Sequence, residues 1–154
     1  MEETLFKSVG TLHYDHVPGY GYRLVLNIDK GIGFFYKSLI PKWFKANSQM
    51  YEPHITVVRY EKPKNLAAWG KYEDERVEFT YSNFIFQGKV YWWLDCFSTR
   101  LEEIREELGL HNAPLSPEYH DPIEGFEKVF HTTIANKKDI VQAERKKTKA
   151  KVRV

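Results

Sequence analysis

The sequence predicts an α+β protein in which one strand–helix–loop–strand unit is used twice. Three observations lead there. Short runs of aliphatic and aromatic residues have the length and alternation of strands, and two segments carry the period of a helix with one buried face. These elements recur in the same order in the two halves of the chain. Each half also ends on a strand that opens with His-x-Thr, at His54-Ile55-Thr56 and at His131-Thr132-Thr133.

In the first half, Tyr22 to Ile28 reads as a strand. Over 31–40, Ile32, Phe35, Tyr36 and Leu39 recur at i, i+3, i+4 and i+7, a helix whose apolar stripe these four residues form. Pro41 stands where that helix stops. After a polar stretch, His54 to Val58 is the closing strand. In the second half, Val77 to Phe86 and Lys89 to Cys96 are aromatic-rich strands joined around Gln87-Gly88, a tight-hairpin signal. A helix follows, with Thr99 as its cap, Glu102 completing a capping box and Gly109 ending it. Leu101, Ile104 and Leu108 make its apolar stripe. Residues 111–128, with three prolines and a glycine, read as a loop long enough to act as a lid. Phe130 to Ala135 closes the unit.

The chain has 154 residues, of which 42% are hydrophobic, 16% aromatic and 29% charged. That composition excludes a wholly disordered chain, a collagen and a coiled coil. No apolar run is long enough to span a bilayer, and MEETLFKSVG lacks a signal-peptide pattern. The single cysteine, Cys96, excludes an internal disulfide and fits a reducing, cytoplasmic setting. The net charge of +2 is uneven: residues 141–154 carry six basic residues and one acid. We therefore read 1–140 as one domain and 141–154 as a basic tail, an asymmetry useful to a polyanionic ligand.

The two His-x-Thr strands carry the chemistry. Six His and eight Thr in a chain of this length give about 0.3 such tripeptides by chance. Residues i and i+2 of a strand share a face. His54 therefore projects with Thr56 and His131 with Thr133, while Ile55, Val57, Thr132 and Ile134 turn to the core. If the halves pack about a two-fold axis, one groove presents two imidazoles and two hydroxyls. Imidazole titrates near neutrality, so one ring serves as a base while the other serves as an acid. Threonine hydroxyls stabilise the charge that grows on phosphate oxygens. Such chemistry on a phosphodiester requires no metal or other cofactor.

Pro53-His54-Ile55-Thr56-Val57 and Phe130-His131-Thr132-Thr133-Ile134 resemble the paired His-hydrophobic-Thr/Ser-hydrophobic motifs of the 2H phosphoesterase superfamily. That superfamily includes RNA 2′,5′-ligase-like proteins and 2′,3′-cyclic-nucleotide phosphodiesterases. The resemblance covers roughly 20–137 and departs at Thr132, where an aliphatic residue is commoner. It implies a bilobal, duplicated fold with two antiparallel sheets around a central cleft and helices outside. It further implies acid/base roles for His54 and His131, and phosphate binding by Thr56 and Thr133. Tyr36 to Lys42, together with Pro53 to Thr56, looks most like the phage anti-CBASS nucleases. These cut the cyclic di- and trinucleotides of bacterial antiviral signalling by attack of a ribose 2′-OH.

Tyr14, Trp43 and Trp69 fall in stretches that read as loop or helix end, where aromatic rings can stack on bases. Tyr14, Trp69 and Lys137 are the candidate substrate contacts, with Arg59 and Lys138 also close behind the motifs. Of the adjoining Trp92 and Trp93, at most one faces the groove. His13-x-x-His16 and His120-Asp121 do not make a zinc set, and Gly31-Ile32-Gly33 lacks the rest of a nucleotide fingerprint. Three functions stay open: a cyclic-oligonucleotide nuclease, an RNA-end enzyme acting on 2′,3′-cyclic phosphates or 2′–5′ linkages, and a nucleotide binder without catalysis.

Overall fold

The computed structural model describes residues 4–139 and 142–146. Most of the basic tail lies outside them; residues 142–146 are helical and exposed. Among the described residues before the tail, eight strands and two α-helices follow one another as β1 (Leu5–Val17), β2 (Gly21–Asn27), α1 (Lys30–Ser38), β3 (Asn47–Ser48), β4 (His54–Arg59), β5 (Arg76–Ser82), β6 (Phe86–Gln87), β7 (Tyr91–Phe97), α2 (Thr99–Glu107) and β8 (Phe130–Asn136). The fold is α+β. Its strands join in one antiparallel sheet, order β3-β8-β4-β2-β1-β5-β7-β6, rather than the two sheets the resemblance implies. β8 also pairs with β7, so the hydrogen bonding runs from β4 round to β7 and closes through β8.

The two halves share one pairing scheme. In the first, Asn27 pairs with His54, Leu26 with Ile55 and Val25 with Thr56; the register then shifts and Leu24 meets Val58. In the second, Asp95 pairs with His131, Leu94 with Thr132 and Trp93 with Thr133; the register shifts at the same step and Trp92 meets Ala135. Val57 and Ile134 are thus the extra residues of matching bulges, which bend each strand just past its His-x-Thr.

The long β1 was not foreseen from sequence. Its apolar residues are interrupted by Lys7, Ser8 and Gly10, which obscures the alternation. Gly10 has a packing reason: a Cβ there would sit 2.6 Å from the Asn27 carbonyl oxygen and from Leu26 Cγ. The expected strand 77–86 breaks at 83–85, leaving β5 and the short β6. The hairpin from β6 to β7 turns at Lys89 and Val90 and not at Gln87-Gly88, with the Gly88 N–H donating to the Tyr91 carbonyl at 2.8 Å.

α1 is capped by Asp29, whose carboxylate accepts from the Gly31 N–H at 2.7 Å. Its buried stripe is Tyr36 and the following Ile40, with Ile32 partly covered, packed on Trp92, Leu94, Ile134 and Ala135. Phe35 and Leu39, expected to share that stripe, are exposed. α2 is capped by Ser98 rather than Thr99, and Ser98 Oγ accepts from the Leu101 N–H at 3.3 Å. Glu102 is therefore freed from a capping box, and its carboxylate accepts from the backbone N–H groups of Glu127 and Lys128. Gly109 ends the helix at φ 79°, with the Leu110 N–H donating to the Arg105 carbonyl. Leu101, Ile104 and Leu108 pack into the larger core with Leu12, Leu26, Ile55, Val57 and Phe79.

Arg105 is fully buried and ties α2 to β4. It donates to the Val57 carbonyl at 2.6 Å, to both carboxylate oxygens of Glu61, and to the Asn112 carbonyl. Truncating one partner of such a pair typically costs about 3–5 kcal/mol. The Val57 carbonyl it holds belongs to the bulge beside Thr56, so a core contact fixes the strand that carries the site.

Candidate active site

β4 and β8 run antiparallel and meet at Ile55 and Thr132, both turned to the core. Extending that register by one residue each way sets His54 across from Thr133, and Thr56 across from His131. All four side chains lie on the opposite face from the core and line one cleft of about 730 Å³. The cleft walls add Arg23 and Arg59 from β2 and β4, Lys89 and Tyr91 from the second-half hairpin, and Lys138. Glu118 is the one acidic residue in that lining.

The imidazoles differ in their surroundings. His54 Nδ1 lies 2.8 Å from the Glu52 carbonyl oxygen, which only accepts, so Nδ1 carries a proton and Nε2 is the reactive nitrogen. Burial lowers the His54 pKa, the Glu52 carbonyl opposes that, and the Arg23 charge lowers it further. His131 is pushed down to about 4, chiefly by burial and then by the charges of Arg59 and His54. Both rings are uncharged at neutral pH. A phosphate brought between them raises both values, because an anion favours imidazolium.

Arg23 and Arg59 are direct cross-strand partners, and neither guanidinium has a carboxylate partner among the described residues. Like charges opposed on a sheet are destabilising by themselves. A polyanion lying along the cleft converts that repulsion into binding.

The loop 111–128 holds no helix or strand, and Leu115, Ser116, Pro117 and Glu118 form part of the cleft wall. It is pinned at several points. Asn112 is held by Arg105, Glu127 and Lys128 by Glu102, and His120 donates from Nδ1 to Asp95 at 2.7 Å while packing on Phe86.

The other candidates lie elsewhere. Tyr14 is 9% exposed in the core, its ring edge-on to Trp69 at 5.0 Å, and Trp69 packs beside it against Tyr22. Neither lines the cleft: they sit on the stretch now seen as β1 and beside the core it covers. Lys137 lies over the Trp92 ring at 5.5 Å and is not in the cleft lining, whereas Arg59 and Lys138 are. Trp93 lines the cleft and Trp92 belongs to the core under α1. Trp43 is exposed beside Phe44. His13 bonds to Glu73 and His16 stacks on Tyr22; three positions apart on one strand, they face opposite ways. Among the described residues, no three His, Cys, Asp or Glu side chains group as metal ligands. No described helix is long and apolar enough to cross a membrane. Cys96 is buried, which raises its thiol pKa and keeps it unreactive.

Sequence reasoning overlooked Arg23, Gln49, Tyr51, Tyr60 and Lys89, which line the cleft. Arg23 had a signal, a charge inside the apolar run of β2. Tyr60 had none: it adopts φ 59°, a conformation sparse for bulky residues, and its N–H bonds the Tyr22 carbonyl at 2.7 Å. No family model, no curated protein and no solved structure matches this chain.

Proposed function

We propose that this protein is a 2H-type phosphodiesterase that cleaves 3′–5′ phosphodiester bonds of cyclic di- and trinucleotides without a metal, a counter-defence of the anti-CBASS kind. The reading rests on one observation above the rest: His54, Thr56, His131 and Thr133, from strands 77 positions apart in sequence, line a single cleft with four cationic side chains. The matching registers and bulges of the two halves agree with a duplicated fold of this type.

With the substrate phosphate bound, which favours imidazolium, the two imidazoles hold one acidic proton between them, and it resides on the ring with the higher pKa. The Glu52 carbonyl supports the charged form of His54, whereas His131 is driven to about 4. His131 is then the base and His54 the acid. His131 takes the proton of the ribose 2′-OH, whose oxygen attacks the adjacent phosphorus. The bond from phosphorus to the 5′-oxygen breaks, and His54 Nε2 delivers its proton to that oxygen. The products are a 2′,3′-cyclic phosphate end and a 5′-OH end. Thr56 and Thr133 donate to the non-bridging oxygens, and Arg23 and Arg59 neutralise their charge.

The test is incubation with cyclic dinucleotides, cyclic trinucleotides and RNA ending in a 2′,3′-cyclic phosphate, in excess EDTA. Linear products with 2′,3′-cyclic phosphate ends are expected from the cyclic substrates. Opening of RNA cyclic-phosphate ends alone assigns an RNA-end enzyme instead. Tight binding with every substrate intact assigns a binder without catalysis.

A further inference from the structure

Beside the cleft lies a second hollow of about 220 Å³. Gly33, Phe34 and Lys37 of α1 form one wall; Gln49, Met50 and Tyr51 form the other. Gln49, Tyr51 and Thr133 belong to both cavities, so the hollow opens directly off the candidate phosphate site. It is smaller than the roughly 300–1,000 Å³ of pockets that hold drug-sized ligands, and suits a single planar ring system.

We infer that this hollow binds one nucleobase of the substrate, an inference that rests on the phosphodiester reading of the cleft. The two halves of the scaffold follow the same pairing, yet they differ where it matters. The partners past the bulge are Arg23 and Arg59 in the first half, and Tyr91 and Asn136 in the second. One end of the cleft thus presents two guanidiniums to phosphate. The other presents the Tyr91 ring to the cleft, while Asn136 turns to Gln49, which both cavities share.

Asn136 donates from Nδ2 to Gln49 Oε1 at 2.6 Å. With its oxygen engaged, Gln49 offers amide N–H groups, donors for the ring nitrogens and carbonyl oxygens of a base edge. Phe34 and Tyr51 are each 69% exposed, two large rings held at the mouth of a hollow instead of packed in the core. Every base has a π-face, so such rings bind bases broadly while hydrogen bonds select among them. Gly33 completes the shape: a Cβ there would come 2.7 Å from Pro53 Cγ, so only glycine lets α1 lie this close to the turn before β4.

The experiment is equilibrium binding by calorimetry of the four nucleoside 5′-monophosphates and of ribose 5-phosphate to the intact protein. At least one nucleotide is expected to bind about tenfold or more tightly than the sugar phosphate, the usual scale for a stacked base. Phe34→Ala and Tyr51→Ala, at exposed positions that folding tolerates, are each expected to remove most of that advantage. Because Phe34 lines the hollow and not the cleft, Phe34→Ala should do so with sugar-phosphate affinity unchanged. Equal affinities for nucleotide and sugar phosphate overturn the inference, as does an advantage that survives both variants. Turnover without base-dependent affinity also overturns it, while leaving the phosphodiesterase reading intact. Base-dependent affinity lost in the variants, in a protein that cleaves no phosphodiester, supports the hollow and rejects the enzyme.

Discussion

Ile55 and Thr132 face each other where β4 meets β8, and the antiparallel register through them sets each histidine of the candidate site across from the other strand's threonine. A two-fold axis through that point exchanges the two His-x-Thr segments. The symmetry is broken by what surrounds them: His54 bonds the Glu52 carbonyl, and His131 faces Arg59.

Under the proposed mechanism that asymmetry gives the two histidines separable roles. His54→Ala and His131→Ala are each expected to reduce turnover of a cyclic dinucleotide at least ~10²-fold, the scale of a lost acid or base. With uridine 3′-(p-nitrophenyl) phosphate, the leaving group departs without a proton. His54→Ala should then approach the parent rate while His131→Ala stays slow. Rescue of His131→Ala alone would reverse the assignment; near-full activity of either variant on the cyclic substrate would end the paired-imidazole mechanism.

From sequence alone, two imidazoles promise a rate profile with both limbs near neutrality. The structure moves it. Both pKa values in the free protein are lowered, so the kcat/KM profile, which reports the free enzyme, is expected to peak below pH ~6.5. The kcat profile should lie at higher pH, since the bound phosphate favours both charged forms. Arg59→Met removes a positive charge facing His131 and should move the acidic limb of kcat/KM upward. Measured profiles that peak above pH ~7.5 for kcat/KM, or that ignore Arg59→Met, contradict this electrostatic account.

Stability responds to the same burial. The folded protein holds the His131 pKa near 4, against an unfolded value of about 6.5, so the unfolded chain binds the proton more readily. The favourable contribution is complete above pH ~6.5 and is lost as the pH falls through about 4. Its size is on the order of 3 kcal/mol at 1.36 kcal/mol per unit. Urea unfolding of the parent and of His131→Gln should show the parent losing more stability between pH ~6.5 and ~4. Parallel curves would mean that His131 is better solvated than its position in the cleft implies.

The site was legible because it resides in two local patterns. His-x-Thr on a strand fixes which side chains share a face, and β-sheet periodicity does the rest. What the sequence concealed was set by long-range packing. Tyr14 reads as a loop aromatic only if β1 is missed, and β1 is masked by the glycine that packs against Asn27 and Leu26. Lys137 and Lys138 are adjacent, and only the end of β8 decides that Lys138 turns to the cleft while Lys137 covers Trp92. α2 is capped by Ser98 and not by the adjacent Thr99, and Glu102, which suits a capping box by its spacing, is instead taken by the backbone before β8. Neighbouring residues offer equal local signals, and a distant contact chooses between them.

The departure at Thr132 yields a stability prediction. Its counterpart Ile55 fills the core with an aliphatic side chain, whereas Thr132 is 1% exposed and its Oγ1 has no hydrogen-bond partner among the described residues. A buried hydroxyl without a partner costs about 1–3 kcal/mol. Thr132→Val keeps the branched shape, suits a strand and replaces the orphan hydroxyl with a methyl group among Leu94 and Ile55. Thermal unfolding is expected to show a gain of about 1 kcal/mol, a rise of roughly 2–4 °C for a chain of this size. Turnover should be unchanged, because the side chain points away from the cleft. A destabilised variant would show that Oγ1 bonds a buried water, and a variant with altered kcat would show that the core face of β8 reaches the imidazoles after all.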